Sequence, residues 1–180
     1  LILVNKQHLY NSTPELTAFV DINYSHLRLP STALTINKTT VDSVVAMFND
    51  FYAATGFGDM MIYATTNEPS SVQYGTDIPE RATGLSLDLG VLNEAAGYHT
   101  PYTSSSYPWL AEHAADYGYV LRFPEGKEDK TGQSAMSWHY RYVGVPHATY
   151  MYQNNLCLEE YLELVQIIVL KIRLDLWSWF

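Results

Sequence analysis

Basic residues are scarce in this chain: ten Lys and Arg stand against 19 Asp and Glu, for a formal net charge of −9. With no basic run, nucleic acid and anionic lipid are excluded as partners, because neutralising phosphates takes clustered Lys and Arg. Cysteine is nearly absent, and Cys157 standing alone excludes an intrachain disulfide and any multi-cysteine metal centre. Long uncharged runs are missing too. The most apolar stretch, "LVQIIVLKIRLDLWSWF", is interrupted by Lys171, Arg173 and Asp175 and reads as too short and too charged to span a bilayer. No repeat or low-complexity segment occurs. The chain opens on "LILVNKQ" without Met, as expected of a processed chain, which leaves room for a signal or anchor ahead of it.

What is present describes a globular protein. Hydrophobic residues make up 47% and charged residues 16% of 180, enough to bury a core in one domain. The 15 tyrosines suit polar-ligand clefts and ordinary β-structure alike. Residues 1–38 read as an extended arm packed on the domain, punctuated by Pro14 and Pro30. Thr39 and Thr40 offer caps for a helix in which Val41, Val44, Val45, Phe48, Phe51 and Tyr52 recur at helical spacing until Gly56. Strands are predicted over 59–65, 84–90, 119–123 and 135–143, with a short helix from Pro108 to Gly118 and helical segments from Pro146 to about Val165. In "GLSLDLG", Leu85, Leu87 and Leu89 face one side while Ser86 and Asp88 face the other. Leu170 to Leu176 alternates apolar and charged, which predicts an edge strand. The fold class is α+β, a small and mainly antiparallel sheet with packed helices.

Asp88 and His139 are the first polar residues to place in one cleft, since both sit on predicted strands beside small or aromatic neighbours and Asp with His is a normal start for a zinc site. Here the sequence resembles the VanY-like zinc D,D- and L,D-carboxypeptidases that trim peptidoglycan stem peptides. The resemblance covers roughly residues 40–165. "PERATGLSLDLG" is similar to the family's SxHxxGxAxD block, with Gly84 and Asp88 in place. "WLAEHAADYGYVLRFPEGKEDKTGQSAMSWHYRYVG" is similar to its second half, up to the ExWH motif and the RYVG after it. In that family the first block's His and Asp and the second block's His hold zinc, and a Glu three residues before the second His is the general base. The resemblance therefore makes Asp88 and His139 remnant ligands, puts Arg81 at the third ligand position, and puts Met136 at the base. Pro79 stands for the family's Ser and Ser137 for the Pro before Trp138. The family's SGYRS element, with its substrate-holding Arg, has no counterpart, because no Arg or Lys occurs between Asn67 and Glu80.

Chemically these changes are severe. A guanidinium stays protonated and has no lone pair to give a metal, so Arg81 is expected to pair with Asp88 instead. Met136 accepts no proton, and loss of a general base costs about 10²–10⁴ in rate. The expectation is a degenerate, non-hydrolysing member without cofactor, although active relatives use zinc. Its cleft would be formed by Arg81, Ser86, Asp88, Trp138 and His139, and its partner would be a peptidoglycan stem peptide or an envelope protein outside the bacterial cytoplasm. One alternative is an active zinc D,D- or L,D-carboxypeptidase with a non-standard third ligand such as His99. In that case Glu80 is the one nearby carboxylate for a base, and it is expected to point away because neighbours on an extended chain diverge. His113 and His147 read as local packing residues. A further alternative is an assembly protein that self-associates through an apolar tail, residues 166–180, beyond the domain at 39–165.

Overall fold

The computed structural model describes residues 1–5, 8, 10–66 and 79–177. The stretch between Asn67 and Glu80, where a substrate-holding Arg was sought, falls almost wholly outside them. The amino-terminal segment is less irregular than its sequence suggests. Leu16–Ala18 (β1) and Thr35–Asn37 (β2) pair antiparallel, and Phe19, Leu34 and Ile36 are buried in the main core. Helix α1, Val41–Thr55, buries Val44, Met47, Phe48 and Phe51 and stops at Gly56, whose φ of 74° closes the last turn without a Cβ clash.

The strands that follow are Met60–Ala64 (β3), Ser86–Asn93 (β4) and Tyr98–Pro101 (β5). Strand β5 lies inside a Tyr- and Ser-rich stretch that reads as a loop, and it forms only because its backbone pairs with Gly90–Asn93 of β4. Helix α2, Pro108–His113, begins on its proline, and a 3₁₀ turn carries the chain to Gly118. Strand β6, Tyr119–Phe123, is followed by the short helix α3, Glu128–Thr131, and by β7, Met136–Tyr142. Helices α4, Val145–Gln153, and α5, Leu158–Trp177, complete the chain.

All sheet pairings among these strands are antiparallel, in the order β3-β4-β7-β6, with β5 on the far half of β4. Side chains alternate across the sheet as period two requires. Leu87, Leu89, Tyr119 and Tyr140 join α1 in the main core. The other face carries Ser86, Asp88, Arg122, His139 and Arg141, all buried. It is covered by a 3₁₀ turn at Pro79–Thr83 and by a second apolar cluster that includes Val120, Ala148, Met151, Leu158 and Tyr161.

The carboxy-terminal stretch corrects an expectation. Leu170 to Leu176 is not an edge strand but the continuation of α5, a helix that crosses position 166 without a break. Alternation over seven residues is outweighed by a run free of Gly and Pro and rich in Leu, Lys and Arg, propagating from a nucleus already packed on the core. From Gln166 to Arg173 every residue is exposed.

Candidate functional site

The pairing of β4 with β7 sets Asp88 directly opposite His139 and Ser86 opposite Arg141. Neighbours opposite each other on one sheet face have Cβ atoms about 5 Å apart, so register alone brings the first pair into contact. Asp88 Oδ1 is hydrogen-bonded to His139 Nδ1, and Arg81 donates to Asp88 Oδ2. The expected pairing of Arg81 with Asp88 is thus present, with both side chains buried.

Glu80 does not point away. The expectation assumed extended backbone, but Pro79–Thr83 is a 3₁₀ turn, in which adjacent side chains can both reach one side. Gly84 makes that turn possible at φ 68°, since a Cβ there would lie 2.5 Å from Leu16 Cδ2 and 2.9 Å from the Asn37 amide. Glu80 Oε1 lies 2.8 Å from His139 Nε2, and its other oxygen accepts from Arg122 Nε at 2.7 Å. Arg122 then donates to both oxygens of Glu159 on α5, at 2.9 and 2.6 Å. The result is one continuous ionic chain, Arg81–Asp88–His139–Glu80–Arg122–Glu159, in the interior between sheet and helices.

Its electrostatics follow from burial and pairing. Burial alone would raise the Glu80 carboxyl, but the His139 hydrogen bond and the Arg122 charge outweigh it and hold the group at about 2. Burial alone would lower His139, but Asp88 and Glu80 reverse the shift and raise it. An imidazolium there donates at both nitrogens. The Phe123 ring stacks on His139 at 5.3 Å between centroids, and the Arg122 guanidinium sits 4.6 Å from the same ring.

The other predicted residues divide. Met136 is buried against Phe123, with Trp138 half-buried beside them. Trp138 also packs toward Met61 and Tyr63, so it belongs to the core as much as to the site. Ser137 Oγ donates to the Tyr102 carbonyl at 2.7 Å, and Ser86 Oγ is buried with no hydrogen-bond partner among the described residues. His99, the candidate third ligand, is opposite Leu92 and its ring lies on Tyr63. Four residues along β4 from Asp88 is roughly 13 Å, so it is not brought to the pair. His113 contacts Asp116 in its own turn, whereas His147, expected to act locally at its helix start, meets the Tyr161 hydroxyl on α5 instead.

Arg122, Glu159 and Arg141 were missed in the sequence. Arg141 donates to Thr83 Oγ1 at 3.0 Å and to the Ile2 carbonyl at 3.2 Å, tying the amino terminus to the turn that carries Glu80. The signal for Arg122 was available, as an arginine inside the apolar strand "YVLRF" must find buried anions.

Comparison with known proteins bears on the fold and the family. Residues 67–145 match the family model for VanY, D-alanyl-D-alanine carboxypeptidase. A D-alanyl-D-alanine carboxypeptidase of Enterococcus faecium is 32% identical over 124 residues, which is 68% of this chain and 39% of the relative. The chain therefore spans well under half the length of that relative. Among solved structures, VanYB in complex with D-alanine-D-alanine superposes with a TM-score of 0.64 at 26% identity, over 90% of this chain and 96% of that one. A VanY D,D-pentapeptidase variant in complex with Zn(II) superposes at 0.59 and 26% identity, over 89% and 97%.

Proposed function

Since this chain belongs to the VanY-like family of D-alanyl-D-alanine carboxypeptidases, we propose that it is a non-hydrolysing member that binds cell-wall stem peptides on the family scaffold, outside the cytoplasm where peptidoglycan lies. One observation carries the reading: the Arg81 guanidinium stands on the Asp88 carboxylate, a cation of the protein's own where the family's zinc would need a lone pair.

The residues present do not fit that zinc. Asp88 gives one oxygen to Arg81 and one to His139, and both His139 nitrogens face carboxylates. Among the described residues no three His, Cys, Asp or Glu side chains are grouped to hold a metal ion. Met136, buried among Phe123 and Trp138, offers no proton acceptor where the family resemblance places the base. Arg81 neutralises Asp88, Glu80 and Asp88 hold His139, and none of these groups is left to activate water.

The test pairs elemental analysis with assays on a synthetic pentapeptide ending in D-Ala-D-Ala. The expected result is less than a tenth of an equivalent of zinc, no chelator-sensitive release of D-alanine, and saturable calorimetric binding of the uncleaved peptide. Stoichiometric zinc with chelator-sensitive cleavage overturns the reading. Cleavage would favour the one competing reading that an observation supports, an active peptidase in which Glu80, already 2.8 Å from His139 Nε2, becomes the third donor after Arg81 leaves Asp88. No peptide binding would leave the non-hydrolysing scaffold without its proposed ligand and sink that half of the reading.

A further inference from the structure

Strand β6 ends the sheet order, so one side of its backbone has no strand beside it. The register shows which groups lie on that side. The Val143 amide donates to the Gly118 carbonyl at 2.8 Å, while the Tyr142 amide turns the other way, to the Leu85 carbonyl beside β4. Bonded and non-bonded pairs alternate along an antiparallel ladder. Val120 therefore pairs with Arg141, whereas Tyr119 and Leu121, opposite Tyr142 and Tyr140, aim their N–H and C=O groups outward. Among the described residues no hydrogen bond answers those outward groups.

A free strand edge is ordinarily met by solvent, but this one opens into an apolar cavity of about 220 Å³ lined by Tyr119 and Leu121. Ala114 and Ala115 of the 3₁₀ turn form one wall, and Met151 and Leu156 form the other. Tyr119 is 1% exposed and Leu121 is half-buried. Buried amides and carbonyls need partners, and one left without costs about 1–3 kcal/mol. Ala111 and Asn155, both exposed, mark the way in from solvent.

We infer that this cavity captures one apolar residue of an extended peptide, which adds to the β6 edge at Leu121. The N–H and C=O of that residue exchange two hydrogen bonds with the C=O and N–H of Leu121, as an antiparallel partner does, and its side chain fills the apolar space. Volume sets its size. An apolar cavity of about 150 Å³ holds benzene, so this one takes a Leu- or Phe-sized group with its peptide unit. A purely apolar molecule would leave the Leu121 pair unanswered, and a charged one would lose its hydration against Ala, Met and Leu. The ladder cannot run on past Pro124, which also lines the cavity and has no N–H to offer. Asp88 lies two strands inward on β4, roughly 10 Å away, so this is a second place on the molecule. The inference does not depend on whether the ion-chain site binds a peptide or cleaves it.

Amide NMR of the isotopically labelled full chain tests it, with N-acetyl-phenylalanine N-methylamide as the probe. This is the smallest molecule that sets one apolar residue between two peptide units. The expected result is a set of shifts centred on the Tyr119 and Leu121 amides, saturating with a Kd on the order of 1 mM. Three comparators should each bind at least about tenfold more weakly: the glycine analogue without the side chain, the analogue methylated at the phenylalanine nitrogen, and toluene without peptide units. Ala111→Trp crowds the mouth from an exposed helix position and should weaken the probe about tenfold, with amide shifts away from α2 unchanged. No saturable shift up to about 10 mM overturns the proposal. So does an analogue or toluene binding as tightly as the probe, or an Ala111→Trp chain that binds unchanged. Shifts centred on Ser86 and Asp88 overturn it as well, since they would put the peptide in the site described above.

Discussion

Glu80 is the side chain on which the buried ionic chain turns, since it answers His139 with one oxygen and Arg122 with the other. Removing one member of a buried pair strands its partners' charge, so Glu80→Ala should destabilise the fold by about 3–5 kcal/mol in urea titrations. The pH dependence has a definite sign. With its carboxyl held at about 2, against an ordinary value of 4.5, Glu80 contributes stability that is complete above about 4.5 and lost as pH falls towards 2. His139 is raised instead, so its contribution is complete below 6.5 and lost as pH climbs through its higher folded value. The stability difference between wild type and Glu80→Gln, followed in chelator from pH 7 to 2, should shrink between about 4.5 and 2. A flat difference would mean that Glu80 is not paired as described. Asp88, His139 and Arg81 were legible in the sequence because block spacing identifies them one by one. Glu80 was not, because its direction depends on a 3₁₀ turn that no single residue announces. Glu159 was hidden for a different reason: an acid in the first turn of a helix looks like an ordinary dipole-complementing residue.

The turn at Pro79–Thr83 and the strand after it are joined by Gly84, which the neighbouring β1–β2 ribbon approaches closely. The Asn37 amide donates to the Gly84 carbonyl at 2.9 Å, so that ribbon braces the site from behind. Gly84→Ala adds a Cβ in a left-handed conformation and against packed atoms. It should cost about 1–3 kcal/mol, read as a lowered urea midpoint with an unchanged slope. Wild-type stability in that variant would remove the glycine's structural role. Elements with strong periodicity, α1 and the β4 and β7 strands, stood out in the sequence because one face of each is apolar. Strand β5 did not, since its four residues owe their conformation to pairing with β4 rather than to their own pattern. The end of α5 was misread because seven residues of alternation carry less information than the helix already running into them.

Taken together, the sheet, the apolar clusters on its two faces and the ion chain hold the fold, and the non-hydrolysing reading proposed above gives a metal no part in it. Thermal unfolding with and without excess chelator should therefore coincide within about 1 °C, a narrower gap than even 1 kcal/mol of lost metal binding would open in a chain of 180 residues. A clear drop in Tm with chelator would contradict that account. The α+β class, the antiparallel sheet and the family were legible because they rest on long blocks of pattern. The exposure of α5 beyond Gln166 was not, since it shows only once the helix is seen to run on past the second apolar cluster. The Arg81–Asp88 pair also constrains how this sequence can change. Exchanging Arg81 for His would remove the cation that balances the buried Asp88 carboxylate while Glu80 still holds His139, so a histidine at position 81 should come at a cost in stability unless a further substitution supplies Asp88 with another partner.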